Sequence, residues 1–460
     1  MVVGSKAFNV SAFGTVSLAL LFQCTTALAS GFDNTGIGSL DLIFDESKFA
    51  LESSATYVFR NVDYESSSAT QDNKVVITPP SPVPPQENEQ KGPVEDGAKK
   101  AHATPEVLNY MHQLKITPVD NMRCLGRVFN PGTILEELPA DWNGRFVLGT
   151  TDLQSRAIDG TCAFSVDAGP GLLSFIGGGK YVEADLFVSK ETSFGQVEVD
   201  VDGSGWGWRV GAAYEVPQFA IRASAIYESQ VDIEAKGDFN GTFQGSLDDP
   251  VFYTLPAQSE LVMPQAVEVR LQSGIAPKWL AFLGVKWTDW SVLDVLEVDA
   301  SGTSPRPIVT SSGPALNPDG SIKLADTQES IKSTRYFNFK DGWTITGGIG
   351  HQLTPKIQVG SSVTWDSGIG GSYSDTYQLG VGTSYKINEN AVFSLGGAAV
   401  YKTGAKNRVQ RGTSQLDNSG HGSITDGFFP ETVSVADEKF DLSYDESFNF
   451  GVTAKLKLQF

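Results

Sequence analysis

The chain has 460 residues, with 48 Gly, 22 Pro, 10% aromatics and a formal net charge of −20. That length accommodates a large core or a barrel in one unit, and the negative charge excludes nucleic acid as a partner, since phosphate backbones repel it. No stretch of the body reaches the ~18 consecutive apolar residues of a transmembrane helix, and abundant Gly with many aromatics suits strands and tight turns.

The N-terminus reads as a processing signal. Lys6 is the only charge before Asp33, an apolar run spans Val16 to Phe22, and Ala27-Leu28-Ala29 forms an A-x-A cleavage step. Residues 1–29 are therefore expected to be a signal peptide, with the mature chain starting near Ser30. Export leaves Cys124 and Cys162 in the mature chain. In an oxidising compartment two thiols form one disulfide, the alternative being two separate buried thiols.

The body reads as strands. Spacing and turn residues place them near 49–60, 105–118, 121–130, 156–168, 171–188, 206–216, 219–237, 261–275, 279–298, 339–353, 356–367, 374–386, 391–403 and 445–460. Segment 206–216 alternates Trp206, Trp208, Val210, Ala212, Tyr214 and Val216 with Gly207, Arg209, Gly211, Ala213 and Glu215, and Pro217-Gln218 then turns the chain. The last segment is clearest: Phe448, Phe450, Val452, Ala454, Leu456, Leu458 and Phe460 share one face, and Asn449, Gly451, Thr453, Lys455, Lys457 and Gln459 the other. Such a run exceeds the usual five or six residues of a soluble strand and fits a tilted strand that crosses a bilayer.

Short turns are expected at 119–120, 169–170, 217–218, 276–278, 354–355 and 387–390. Long connections are expected at 61–104, 131–155, 189–205, 238–260, 299–338 and 404–444, with 368–373 as a short exception. The first of these carries the proline-rich stretch Thr78 to Lys100. An even strand number with short turns at one end and long loops at the other is the layout of an outer-membrane barrel. The expected class is all-β: a transmembrane antiparallel β-barrel of about fourteen strands over 49–460, behind a short N-terminal hatch at 30–48.

Several stretches resemble the FadL/TodX family of outer-membrane transporters for long-chain fatty acids and other hydrophobic compounds. They include Gly205 to Glu215, Tyr227-Glu228-Ser229, Met263-Pro264-Gln265 and Gly274-Ile275-Ala276-Pro277-Lys278-Trp279. The most specific is Lys286-Trp287-Thr288-Asp289-Trp290-Ser291, and the resemblance covers roughly residues 200–460. It implies a fourteen-stranded barrel plugged by a hatch, with a kinked strand that opens the wall sideways. Where that family usually carries an Asn-Pro-Ala step before the first strand, this chain reads Asp45-Glu46-Ser47.

A hydrophobic substrate needs an apolar pocket, worth about 0.8 kcal/mol per buried CH₂, and a carboxylate head would be met by Arg or Lys. The expected luminal face carries Arg209, Arg222, Arg270 and Lys286 beside Glu215, Glu228 and Glu268. These cations either receive a head group or brace the interior as cross-strand ion pairs, and the mixture of signs favours bracing. Leu42 and Phe44 of the hatch either contact ligand or pack inside the barrel, and Phe428-Phe429 stand in the last long loop as candidates for an external capture groove. Gly177-Gly178-Gly179-Lys180 lacks the phosphate-loop spacing, and the four histidines form no zinc-protease pattern.

The chain is therefore read as a passive transporter for hydrophobic molecules, such as long-chain fatty acids or aromatic hydrocarbons, in the outer membrane of a Gram-negative bacterium. The reading includes no enzymatic activity, no cofactor and no metal. The expected partners are hydrophobic small molecules, outer-membrane lipid and lipopolysaccharide, with the protein itself monomeric. A general porin for hydrophilic solutes and a surface adhesin or structural barrel are the alternatives.

Overall fold

A computed structural model describes residues 33–78, 86–93, 97–103, 106–145, 149–192, 195–244, 250–310, 313–321, 323–337, 339–370, 373–417, 422–423, 427–428 and 431–460. The expected signal peptide, 1–29, lies outside the described residues. Fourteen strands close an antiparallel barrel. They are β1 (Phe49–Phe59), β2 (Glu106–Val119), β3 (Met122–Phe129), β4 (Thr150–Ala168), β5 (Gly171–Thr192), β6 (Gly195–Val216) and β7 (Ile221–Glu228). They continue as β8 (Ala266–Ala276), β9 (Trp279–Thr288), β10 (Gly342–Gln352), β11 (Ile357–Asp366), β12 (Thr376–Asn388), β13 (Ala391–Lys402) and β14 (Ser447–Gln459). Each pairs with the next, and β14 closes on β1 from Ala50↔Gln459 to Phe59↔Phe450. Closure leaves the membrane-spanning ladder without a free edge, which a bilayer demands because lipid cannot hydrogen-bond the backbone. The two chain ends of the barrel meet where Phe49 and Phe460 exchange backbone hydrogen bonds at 3.1 and 2.8 Å.

The alternation turns inside out relative to a soluble protein. Trp206 is 76% exposed and Arg209 only 2%. On β14, Phe448, Phe450, Val452 and Leu456 face outward, and Asn449, Thr453, Lys455 and Lys457 are buried in the lumen. Aromatics gather on the outer face where the strands approach the loop end: Trp208 against Tyr227 at 5.2 Å, Tyr401 against Phe448 at 5.2 Å, and Trp287 opposite Trp343. This is the apolar band with an aromatic girdle of a membrane barrel. Cys124 and Cys162 lie opposite each other on β3 and β4, joined by a disulfide.

The long connections differ from the expectation. Much of 189–205, 238–260, 299–338 and 404–444 is strand that carries the barrel wall beyond the girdle. The extensions include Val62–Thr78, Val231–Gln244, Pro250–Met263, Val295–Pro307, Leu324–Tyr336, Ala405–Asp417 and Glu431–Tyr444. Strands β5 and β6 also run on, pairing up to Thr192↔Gly195. The proline-rich stretch includes a described strand at Gln86–Pro93, paired with Val62–Thr78.

These extensions reverse the polarity of the faces. On β6, Val199 and Val201 point inward, beside the outward Asp200 and Asp202. The facing strands add Val182, Ala184, Leu186, Val188, Val231, Ile233 and Leu255 to the same interior cluster. Outside the membrane the outer face meets water, so the hydrophobic effect draws the apolar side chains inward. The barrel thus has a polar lumen at membrane level and an apolar interior above it.

Candidate functional site

The hatch occupies the polar lumen. Gly36 and Gly38 adopt φ of +59° and +83°, the left-handed region that glycine enters without steric cost. A Cβ on Gly38 would lie 1.9 Å from Nη1 of Arg270, so a larger residue would have to displace that guanidinium as well as strain the turn. A 3₁₀ turn follows at Asp41–Phe44 and buries Leu42, Ile43 and Phe44. They pack on Leu125, Ala163, Ile176, Ala213 and Ile226 of the wall. Gly284 of β9 leaves the space into which Ile37 fits, since a Cβ there would lie 2.5 Å from Cγ2 of Ile37.

Three hatch carboxylates bind luminal cations. Asp33 pairs with Lys286, which also donates to Thr35 Oγ1 at 3.1 Å. Asp41 lies between Arg222, at 3.0 Å, and Arg270. Asp45 pairs with Lys457 on β14. Arg127 donates to the Ser39 carbonyl at 3.2 Å, and Glu268 accepts from the Gly38 amide at 3.0 Å. The Asp45-Glu46-Ser47 step that departs from the family pattern is therefore an anchor, since Ser47 also accepts a bond from Lys115 at its carbonyl.

Above the hatch one strand leaves the wall. The β2–β3 ladder ends at Met111↔Phe129, and Asn130-Pro131-Gly132 turns inward. Asn130 covers the edge left on β2: its Oδ1 accepts from the Tyr110 amide at 2.8 Å and its Nδ2 donates to the Leu108 carbonyl at 3.3 Å. Asn34 of the hatch donates from its amide to Pro131 O at 2.9 Å and from Nδ2 to Thr133 Oγ1 at 3.1 Å. The chain then rejoins β4 at Thr133–Glu136. Among the described residues no pairing between that segment and β2 closes the wall again.

An open cavity sits on this junction. Its apolar wall comes from Phe129, Val182, Met263, Pro264 and Trp290, and its floor is Asp33 and Thr35 of the hatch. Two cations reach it, Lys286 and Lys180, and two acids, Asp33 and Glu228. Lys180 pairs with Glu228 at 3.2 Å, so each charge at the cavity has an opposite neighbour.

The residues singled out from the sequence divide between roles. Lys286 lines the cavity. Arg222 and Arg270 lie under the hatch, held by Asp41. Arg209 is buried between Asp159 at 2.9 Å and Glu228 at 3.2 Å. Leu42 and Phe44 pack between hatch and wall, with the guanidinium of Arg222 4.4 Å from the Phe44 ring. Phe428 pairs through its backbone with Val309, and Phe429 lies outside the described residues. Sequence reasoning missed Lys180 as a cavity residue. The residue stood in view in Gly177-Gly178-Gly179-Lys180, but only its spacing as a phosphate loop was weighed, not its place on an inward strand position.

Known proteins match this architecture. Residues 42–423 match the family described as outer membrane protein transport protein (OMPP1/FadL/TodX). The long-chain fatty acid transport protein of Escherichia coli K12 is 23% identical over 227 residues, 47% of this chain and 46% of that protein. The chain thus spans about half the length of the curated relatives it matches. A FadL homologue from Pseudomonas aeruginosa superposes with a TM-score of 0.55 at 13% identity, covering 90% of this chain and 91% of the other. The toluene transporter TbuX of Ralstonia pickettii gives 0.54 at 12% identity, over 99% and 100%. At those identities the superpositions establish a shared fold.

Proposed function

The chain belongs to the outer membrane protein transport family (OMPP1/FadL/TodX), and from that premise we propose that it carries hydrophobic molecules passively through the outer membrane. The reading rests on one observation: the apolar interior of the outer extensions, taken here as a funnel, stands over a cavity floored by a hatch held inside the polar lumen. A hydrophobic molecule leaves water in the funnel, at about 25 cal/mol per Å² of apolar surface buried. It reaches the cavity and leaves sideways where β3 departs from β2. The hatch disfavours the porin alternative, because a porin needs an open aqueous lumen. Uptake then needs no energy source and no chemistry on the substrate.

Relatives carry fatty acids and toluene, and the cavity separates those two classes by charge. Toluene needs only the apolar wall. A carboxylate must compete with Asp33 for Lys286, or with Glu228 for Lys180. Competition at Lys286 would release the hatch's first anchor, coupling anionic substrate to hatch movement. Arg209, Arg222 and Arg270 act in this scheme by holding the lumen and hatch, Leu42 and Phe44 by seating the hatch, and Phe428 and Phe429 by contributing apolar surface among the outer segments. We further propose that the protein works as a monomer within lipopolysaccharide.

The test is Asp33→Asn. It keeps the side-chain volume and frees Lys286 from its carboxylate. Decanoate affinity is expected to rise about tenfold or more, the worth of one hydrogen bond to a charged group, and toluene affinity to stay within error. Isothermal titration of the folded barrel reads both. Unchanged decanoate binding would remove Lys286 as the head-group site, and failure of the parent protein to bind either compound would end the hydrophobic-transport reading.

A further inference from the structure

A second break in the wall lies on the far side of the same cavity, where β8 and β9 pass into the outer extensions Pro250–Met263 and Val295–Pro307. Past a register shift at Gly274/Ala276 the β8–β9 ladder runs from Gly274↔Leu280 to Ala266↔Thr288, and the Asp289 amide still donates to the Gln265 carbonyl at 3.0 Å. Pairing resumes only at Ser259↔Val298 and ends at Ala257↔Ala300. Between these points residues 260–264 face the longer segment 290–297, and among the described residues no ladder joins them. Two side-chain clasps frame the window: Ser259 Oγ to Glu297 O at 2.8 Å above, and Gln265 Nε2 to Asp289 Oδ2 at 2.9 Å below.

The window has apolar edges that belong to the cavity. Met263 and Pro264 on one side and Trp290 on the other are cavity wall. Trp290 is 1% exposed and closes the window by packing on Phe339, Ile369 and Leu293. Just below, Tyr227 donates its hydroxyl to Gln265 at 2.8 Å, and Trp287 faces Trp343 on the outer surface. These aromatics place the window at the membrane–water interface, where amphipathic rings settle. Hydrogen bonds between strands are what hold a barrel wall shut. Here they are replaced by packed side chains, which rearrange without breaking a ladder.

We propose that this seam is a second lateral port, through which hydrophobic molecules partitioned at the outer interface enter the cavity, with Trp290 as its gate. It rests on the cavity being a hydrophobic binding site, as proposed above. Such a port spares the ligand a passage through bulk water above the funnel, and it is separate from the gap between β2 and β3.

A staple across the window tests it. Extending the upper register brings Val262 opposite Val295, so V262C/V295C oxidises to a cross-strand bridge. The probe is 1-N-phenylnaphthylamine dissolved in phosphatidylcholine nanodiscs that contain the full-length mature barrel. Oxidising the staple is expected to slow probe association about tenfold, as closing a gate does when entry limits the rate, with equilibrium affinity unchanged. The parent protein under the same oxidant is expected to keep its rate. Trp290→Leu, which keeps the site apolar, is expected to speed association. Parent-like rates in both variants, with the probe bound, would overturn the port alone. Absence of probe binding by the parent protein would overturn the cavity reading and the port with it.

Discussion

Replacing Asp41 by alanine is expected to release the hatch and open the lumen to ions. Asp41 pairs with both Arg222 and Arg270, and the two residues are 7% and 4% exposed. Removing one partner of a buried ion pair costs about 3–5 kcal/mol, because the remaining charge stays desolvated without its counterion. Here two cations lose that partner at once, and their mutual repulsion adds to the cost. The cheapest relief is for water to enter and the 3₁₀ turn at Asp41–Phe44 to lift from its apolar seat. In planar bilayers the parent barrel should show little or no steady conductance, and Asp41→Ala should show discrete open steps. A parent-like trace for the variant would mean that the packing of Leu42, Ile43 and Phe44 holds the hatch without the ion pairs.

The second large effect concerns the outer face. Val381 lies on β12 midway between Tyr377 and Tyr385, and all three point outward. Arginine at the bilayer midplane of a barrel costs about 2–4 kcal/mol, falling to about 0–1 near the interfaces. Val381→Arg is therefore expected to lower the folding free energy in lipid vesicles by that larger amount. Ile387→Arg, on the same face beside the turn at 389–390, should cost little. Urea titration of vesicle-inserted protein reads both. Equal costs at the two positions would show that the apolar band does not face lipid.

The sequence carried the barrel well because the bilayer imposes a period-2 pattern strong enough to read one segment at a time. β14, with Phe448 to Phe460 against Asn449 to Gln459, is legible without any other strand. The extensions were not, although they alternate as strictly. Segment 195–205 reads as loop because its outward positions are Asp200 and Asp202 and its tail is Gly203-Ser204-Gly205. Only the position of the membrane decides that such a strand should have its apolar face inward.

The hatch contacts were hidden for a different reason. Asp41 meets Arg222 and Arg270 across nearly half the chain, and no local pattern specifies a partner at that separation. The alternation of signs along the luminal face did favour internal ion pairing, and the cations are indeed paired, but the hatch as the source of their counterions was not visible. The kink in β3 did leave a local trace, since Asn130-Pro131-Gly132 cannot continue a central strand. The seam above β8 and β9 left almost none beyond Pro264, because a missing ladder depends on the register of two strands rather than on either sequence.

The most direct test of the account is mass spectrometry of the organic extract from the folded barrel, purified from membranes in a detergent distinguishable by mass. A long-chain or aromatic molecule recovered in near-equal amount to the protein is the predicted result, since a cavity walled by Phe129, Val182, Met263 and Trp290 offers water few polar partners. Recovery of no lipophile from correctly folded protein would contradict hydrophobic transport through this cavity.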